Sequence, residues 1–352
     1  MGGDCQCFFA VEICYLIYMD TETLLKNTSR SLYLSVQALP KNMRPAFGIA
    51  YLLCRYADTI ADTPLIAPAR RLDWIGQFPA LLEEQNQTQI SRLTQEIEGG
   101  SENPYEAELI RRLAPCLQAL NRIRPHQRAC IMEVVRAVCE GMKTDLRTFP
   151  PENAGEIKAF ACAEDLMHYC RLMGGKPGLF WSQLIYQLSP VPMPEQDFYE
   201  LGQHIGDALQ IVNILRDLPK DLRIGRCYFP QEELAAQGLT PYDLLDAKNS
   251  ARFEPVKRKW IAWGVQRLKS GLAYFEQLPK MQLGQRAAVA WPILWSADTL
   301  LKVYQTPDLL NPKKRVKISR ATIYATMALT PLMLLSNRLF SYGLKHKLQK
   351  FH

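Results

Sequence analysis

Two stretches of the chain invert the pattern of an ordinary surface helix. Pro45 to Asp62, PAFGIAYLLCRYADTIAD, is apolar around most of a helix, yet Tyr51, Arg55, Asp58 and Asp62 fall at i, i+4, i+7 and i+11 on one line. Leu201 to Pro230, LGQHIGDALQIVNILRDLPKDLRIGRCYFP, repeats the design: Gly206, Gln210, Asn213 and Asp217 share a line, and Asp221 follows four residues on. A helix apolar nearly all round is buried, so each polar stripe is expected to face an interior cavity. Burying carboxylates, amides and the neighbouring Arg216 there is costly unless a metal or a charged ligand satisfies them. The rest reads as amphipathic helices punctuated by scattered prolines such as Pro40, Pro45, Pro104, Pro125 and Pro150. Runs of alternating strand pattern are nearly absent, which predicts an all-α fold.

Each stripe ends in Asp-x-x-x-Asp. Carboxylates four apart on a helix project side by side and can share a hard cation. Two such pairs facing each other across a helical bundle would hold Mg²⁺, with positions left open for diphosphate oxygens. Pro219, between Asp217 and Asp221, is expected either to kink the helix or to end it.

Composition narrows the field. The 352 residues carry a net charge of +7 and are 48% hydrophobic, enough for a substantial core. That charge suits a polyanionic substrate, anionic lipid or nucleic acid. No helix-turn-helix, zinc-finger or RNA-recognition signature is present, so nucleic acid is not an expected partner. None of the ten cysteines forms Cys-x-x-Cys, which argues against structural zinc and for buried thiols in a reducing compartment.

Asp58-Thr-Ile-Ala-Asp62 and Gln210-x-x-Asn213-Ile-Leu-Arg216-Asp217-x-x-x-Asp221 resemble the two aspartate-rich motifs of the squalene/phytoene synthase family, most closely those of bacterial squalene synthases. The likeness extends over roughly residues 22 to 320. It implies an isoprenoid-synthase type helical bundle around a central apolar cavity. It also implies head-to-head condensation of two prenyl diphosphates, with Asp58, Asp62, Asn213, Asp217 and Asp221 as Mg²⁺ ligands. The resemblance further implies that Ser29, Arg30, Ser31, Tyr51, Arg55, Gln210, Arg216 and Arg226 meet the substrate. Ser29-Arg30-Ser31-Leu32 is similar to the family's Ser-Arg-Ser-Phe element, and an Arg fork suits phosphate oxygens. Tyr169-Cys170 matches the start of a Tyr-Cys-x-x-Val-Ala-Gly element whose Tyr is implicated in the condensation. A phenol there could relay a proton or stabilise a carbocation with its ring face. Met173-Gly-Gly-Lys-Pro-Gly178 departs from the family pattern, and its glycines are expected to break a helix beside the cavity. Asp145, in Gly141-Met142-x-x-Asp145-Leu146, is expected to be a structural partner. Trp260, Trp263, Tyr274 and Phe275 read as core residues. Trp291 and Trp295 read as a wall of the product cavity.

The expected layout is a poorly ordered extension over 1–20, one catalytic domain over 21–320, and an apolar then basic tail over 321–352. The tail's apolar run falls short of the ~20 residues a spanning helix needs. It reads as a monotopic surface helix on the inner face of a membrane, in an otherwise cytoplasmic protein. The squalene-forming reaction would add NADPH as hydride donor; phytoene or dehydrosqualene synthesis would not. A non-catalytic membrane-associated assembly protein on the same fold would have lost metal-binding aspartates, and all four persist. Head-to-tail synthases carry Asp-Asp-x-x-Asp, which Thr59 interrupts.

Overall fold

The prolines do the punctuating expected of them. In the computed structural model, which describes residues 30–63, 66–100, 104–152 and 154–351, Pro45, Pro68, Pro104 and Pro125 each lie in the first turn of a helix. A missing N–H costs nothing there, because that donor has no intrahelical partner. The first helices are α1 (Arg30–Ala38), α2 (Arg44–Asp62), α3 (Pro68–Glu84), α4 (Gln87–Gly100), α5 (Pro104–Arg111), α6 (Leu113–Arg122) and α7 (Pro125–Thr148). There follow β1 (Lys158–Ala159), α8 (Ala163–Cys170), α9 (Lys176–Leu188), α10 (Glu195–Asp221) and β2 (Arg226–Cys227). The described chain closes with α11 (Gln231–Ala236), α12 (Ser250–Leu268), α13 (Ser270–Gln277), α14 (Leu283–Tyr304), α15 (Arg320–Leu335) and α16 (Asn337–Leu348). Among the described residues the only sheet is the parallel pair β1–β2, with Lys158 opposite Arg226. The all-α expectation holds. The N-terminal extension lies outside the described residues.

The chain packs as two compact units, Met1–Leu146 and Arg147–His352, where the sequence pattern suggests one domain over 21–320. No linker-like composition marks the boundary. In the first unit α2 is buried along Ala46, Phe47, Leu52, Leu53, Tyr56 and Ile60. The buried Arg71 of α3 donates to the carbonyl of Ala61 at 2.8 Å. A guanidinium at a helix C-terminus answers both an orphan carbonyl and the negative end of the dipole. It thereby fixes the turn that carries Asp62. The hydrophilic α4 lies on the surface but buries Ile90, Leu93 and Ile97 on one face.

In the second unit α10 packs against α9, α12, α13 and α14. Four glycines set its distance from α9. A Cβ at Gly178 would stand 2.1 Å from the carbonyl oxygen of Gly202, and one at Gly206 would stand 2.0 Å from that of Gly174. Only bare backbone fits, so Gly174-x-x-x-Gly178 and Gly202-x-x-x-Gly206 are the contact seam. This corrects the expectation of a helix break beside a cavity. The chain instead passes through a π-helical turn, Arg171–Gly175, in which Lys176 N–H reaches the Arg171 carbonyl. Pro177 has no N–H to offer the preceding turn, and the widened turn accommodates that loss.

Residues 320–348 are part of this unit. The fully buried Arg286 of α14 donates to the carbonyls of Leu334 (2.8 Å), Leu278 (2.7 Å) and Phe275 (3.3 Å) and to Asn337 Oδ1 (2.5 Å). One side chain thus closes the ends of α13 and α15 and the start of α16. Beside it the rings of Phe275 and Phe340 stack with centroids 3.8 Å apart. Trp291 donates to Thr330 Oγ1 at 2.9 Å, so it joins α14 to α15. Trp260, Tyr274 and Phe275 are buried as expected. Trp263 is only half-buried and carries the Arg267 guanidinium 5.1 Å from its ring centroid, a cation contact the pattern did not suggest. Cys116, Cys130, Cys139, Cys170 and Cys227 are buried free thiols. Burial pushes Cys116 and Cys227 up to about 12, so they behave as small apolar groups.

Candidate active site

The predicted residues fall into two clusters, one in each unit. In the first, Tyr51, Arg55 and Asp58 are half-buried and Asp62 is exposed, on a helix otherwise almost entirely buried. Arg55 donates to the Asp58 carboxylate three residues on. In the second, Gln210, Arg216, Asp217 and Asp221 are half-buried and Asn213 is exposed. Gly206 is buried and belongs to the α9 seam, so the open stripe begins at Gln210. Arg216 holds Asp217 by two hydrogen bonds, Nε to Oδ1 at 3.0 Å and Nη2 to Oδ2 at 2.5 Å. That contact raises the Arg216 pKa further. Neither stripe is sealed from solvent.

Pro219 does not end α10, which runs on to Asp221. Both pairs therefore sit on continuous helix, and in both the second aspartate is the last α-helical residue: Asp62 in α2, and Asp221 in α10, which runs on into a 3-10 turn over Leu222–Ile224. A carboxylate at a helix C-terminus meets the negative end of the dipole, the unfavourable end for an anion. A cation placed there relieves both. Among the described residues no three His, Cys, Asp or Glu side chains form a group that could hold a metal ion. Mg²⁺ is ordinarily bound through one or two carboxylates, with water and substrate phosphate completing the octahedron, so a carboxylate pair in each unit fits its chemistry.

Behind Asp221 a short turn carries the chain into β2. Gly225 makes it at φ 83°, where a Cβ would also stand 2.5 Å from the Glu156 carbonyl oxygen. The turn lets Lys158 N–H bond Gly225 and Phe160 N–H bond Cys227. Arg226 is thereby held beside Glu152 at 3.5 Å. The next residue but one, Tyr228, is brought to Tyr169: their rings stack at 5.0 Å and their hydroxyls are 3.4 Å apart. Phe149 and Phe160 complete the cluster. Asp165 aims the helix that carries Tyr169, accepting from the N–H groups of Ala161 (3.1 Å) and Cys162 (3.3 Å). Ser29 lies outside the described residues, as do the side chains of Arg30 and Ser31, which begin α1. Asp145 sits half-buried near the end of α7.

Sequence reasoning missed Asp207. It is buried on α10, held by Arg171 Nε (3.1 Å) and Nη2 (2.8 Å), with Arg267 3.9 Å away. Burial raises its pKa against the pull of Arg171 and Arg267. A Cβ on Gly175 would stand 2.3 Å from its Oδ1, so the glycine makes room for the carboxylate. The available signal was an acidic residue next to a glycine of the seam, inside an apolar run. The pairing of Tyr228 with Tyr169 left no sequence signal, since 59 residues separate them.

Fold and residues together define an all-helical protein that presents two Asp-x-x-x-Asp pairs at helix ends, suited to a divalent cation and a polyphosphate. The squalene/phytoene synthase family description matches residues 25–322, and the chain belongs to that family. A chloroplastic phytoene synthase from Narcissus pseudonarcissus is 31% identical over 54% of this chain and 42% of its own length. Phytoene synthase 2 of Zea mays is 24% identical over 83% of this chain and 64% of its own length. The chain thus spans about half the length of such curated relatives. Among solved structures, the complex of TcSQS with the ligand E5700 superposes with a TM-score of 0.75 at 20% identity, covering 97% of each chain. A dehydrosqualene synthase complex gives 0.66 at 19% identity, covering 92% of this chain and 99% of its own. At those identities the likeness is one of fold.

Proposed function

We propose that the protein is a Mg²⁺-dependent prenyltransferase that joins two prenyl diphosphates head to head. The observation that carries this reading is the pair of Asp-x-x-x-Asp motifs, each ending its helix and each with an arginine on its first aspartate. Asp58 and Asp62 would hold metal in one unit, Asp217 and Asp221 with Asn213 in the other. When bound, Mg²⁺ supplies Lewis-acid neutralisation of diphosphate oxygens. Arg55, Arg216 and Arg226 add fixed positive charge for the departing diphosphate, which is electrostatic work preorganised donors do well. Arg30, with Ser29 and Ser31, would extend that set, and Tyr51 and Gln210 would line it. Loss of diphosphate would leave an allylic cation that the double bond of the second chain attacks, and loss of a proton from the resulting tertiary cation would close the ring of a cyclopropyl diphosphate. The Tyr169–Tyr228 pair offers a phenol to move a proton and ring faces to meet a cation.

With farnesyl diphosphate the product would be presqualene diphosphate and then squalene, NADPH supplying the hydride. The likeness of the second motif and of Thr59-Ile-Ala-Asp-Thr63 to bacterial squalene synthases supports this. The names of the curated relatives favour a second reading, phytoene synthesis, which like dehydrosqualene synthesis would need no hydride. An apolar product and a basic-flanked apolar C-terminal segment favour a cytoplasmic enzyme working at the inner face of a membrane. The test is incubation of purified protein with farnesyl or geranylgeranyl diphosphate and Mg²⁺, with and without NADPH. Squalene that requires NADPH is the expected product. Product from the longer substrate alone, unchanged by NADPH, overturns squalene in favour of phytoene. No condensation of either substrate overturns the enzyme.

A further inference from the structure

We propose that the outer face of α15, continued onto α16, is a docking surface for a bilayer containing anionic lipid. The inner face of α15 is committed: Thr330 and Leu334 are buried against α14, with Trp291 bonded to Thr330. Between Ala321 and Leu335 the helix carries no charged side chain. Tyr324, Leu329, Leu332 and Leu335 are exposed there, and Leu339 and Tyr342 of α16 extend the patch, with exposures from 47% at Leu339 to 71% at Tyr342. A contiguous apolar face of this kind marks an interaction site.

The surrounding charge says what it meets. Asp308 is the last acidic residue of the chain, and Lys313, Lys314, Arg315, Lys317, Arg320, Arg338, Lys345, Lys347 and Lys350 follow it. Lys314 pairs with Asp308 and Lys347 with Asp298; the other seven are exposed, four of them at or before the start of α15 and three on or just after α16. Apolar side chains flanked by cations at both ends of the segment match the acyl boundary and headgroups of an anionic leaflet. A second copy of the same face would set cation against cation. No described helix is long and apolar enough to cross a membrane, so the strip lies on the surface. The surface deepens the membrane-side reading above and is separable from the chemistry, because vesicle binding needs no substrate.

The experiment is co-sedimentation of the full chain with phosphatidylcholine vesicles, with and without phosphatidylglycerol, over a range of salt. Binding at least roughly tenfold tighter to the anionic vesicles, weakened by salt, is expected. Leu329→Glu with Leu332→Glu should remove it, as should Lys313→Gln with Lys317→Gln and Arg338→Gln. Thermal melts confirm that the variants fold, and the leucine pair should leave turnover of detergent-dispersed substrate unchanged. Equal sedimentation of wild type and the leucine pair overturns the proposal. So does an oligomer that the leucine pair dissociates while neither form binds vesicles, which would make the face a self-interface. Vesicle binding that is lost only on removal of residues 1–20 also overturns it.

Discussion

The hydroxyl of Tyr228 lies 3.4 Å from that of Tyr169, above a stack of rings 5.0 Å apart. The two-residue β1–β2 pair and the left-handed Gly225 create this neighbour for a tyrosine that the motif singled out alone. If the phenol of Tyr169 moves a proton, Tyr169→Phe should lower kcat about 100-fold or more while the ring stays in place. Tyr228→Phe should have a smaller effect, on the order of tenfold, through the hydroxyl it orients. A circular-dichroism melt unchanged in both variants, beside the two rate losses, separates chemistry from packing. Equal full activity in both would remove the phenols from the mechanism.

The aspartate pairs predict a metal phenotype in each unit separately. Asp58→Asn and Asp217→Asn should each lower turnover at least about 100-fold. The Mg²⁺ concentration for half-maximal rate should rise in any residual activity. Far-UV helicity should be unchanged, because both residues are partly exposed and the arginine that each pairs with lies on its own helix. A variant with ordinary turnover at ordinary Mg²⁺ would exclude that pair from metal binding.

The glycine seam predicts a stability effect away from the chemistry. In Gly206→Ala the new methyl would meet the Gly174 backbone, and backbone cannot turn aside as a side chain can. The helices must separate, at a cost of about 1–3 kcal/mol or more in urea unfolding. Gly76→Ala is the control, since a Cβ there meets nothing within 4 Å. Its expected change is neutral to slightly stabilising.

Arg286→Ala should destabilise by about 3 kcal/mol or more, because three buried carbonyls lose their donor at once. Limited proteolysis should then cleave first within residues 320–348. Uniform cleavage across the second unit would mean that Arg286 does not tie this segment down.

His204 predicts a pH effect. Burial, with Arg267 beside it, lowers its pKa, while Glu200 pulls the other way and Ser270 Oγ lies 3.2 Å from Nδ1. A folded-state pKa below the unfolded one means that the unfolded chain binds the proton first. Stability is therefore full above the unfolded value and declines as pH falls from about 6.5. His204→Gln should flatten the melting temperature between neutral and mildly acid pH. An unchanged slope would assign the effect elsewhere.

What was legible in the sequence was local and periodic. Hydrophobic spacing marked the helices, prolines marked their first turns, and the i, i+4 pattern put Asp58 with Asp62 and Asp217 with Asp221. Those are properties of one helix at a time, fixed by 3.6 residues per turn. Pro219 was ambiguous from sequence because a proline near a helix end may close or continue it, and packing kept α10 helical to Asp221. Only the tertiary structure decided that Gly206 belongs to a seam rather than to the open stripe, that Asp207 is buried with Arg171, and that Tyr228 meets Tyr169. It also decided that residues 320–348 are stapled into the second unit by Arg286, leaving one apolar face of α15 uncovered. These contacts join residues far apart in the chain, and the pairing of such residues is set by packing rather than by any period in the sequence.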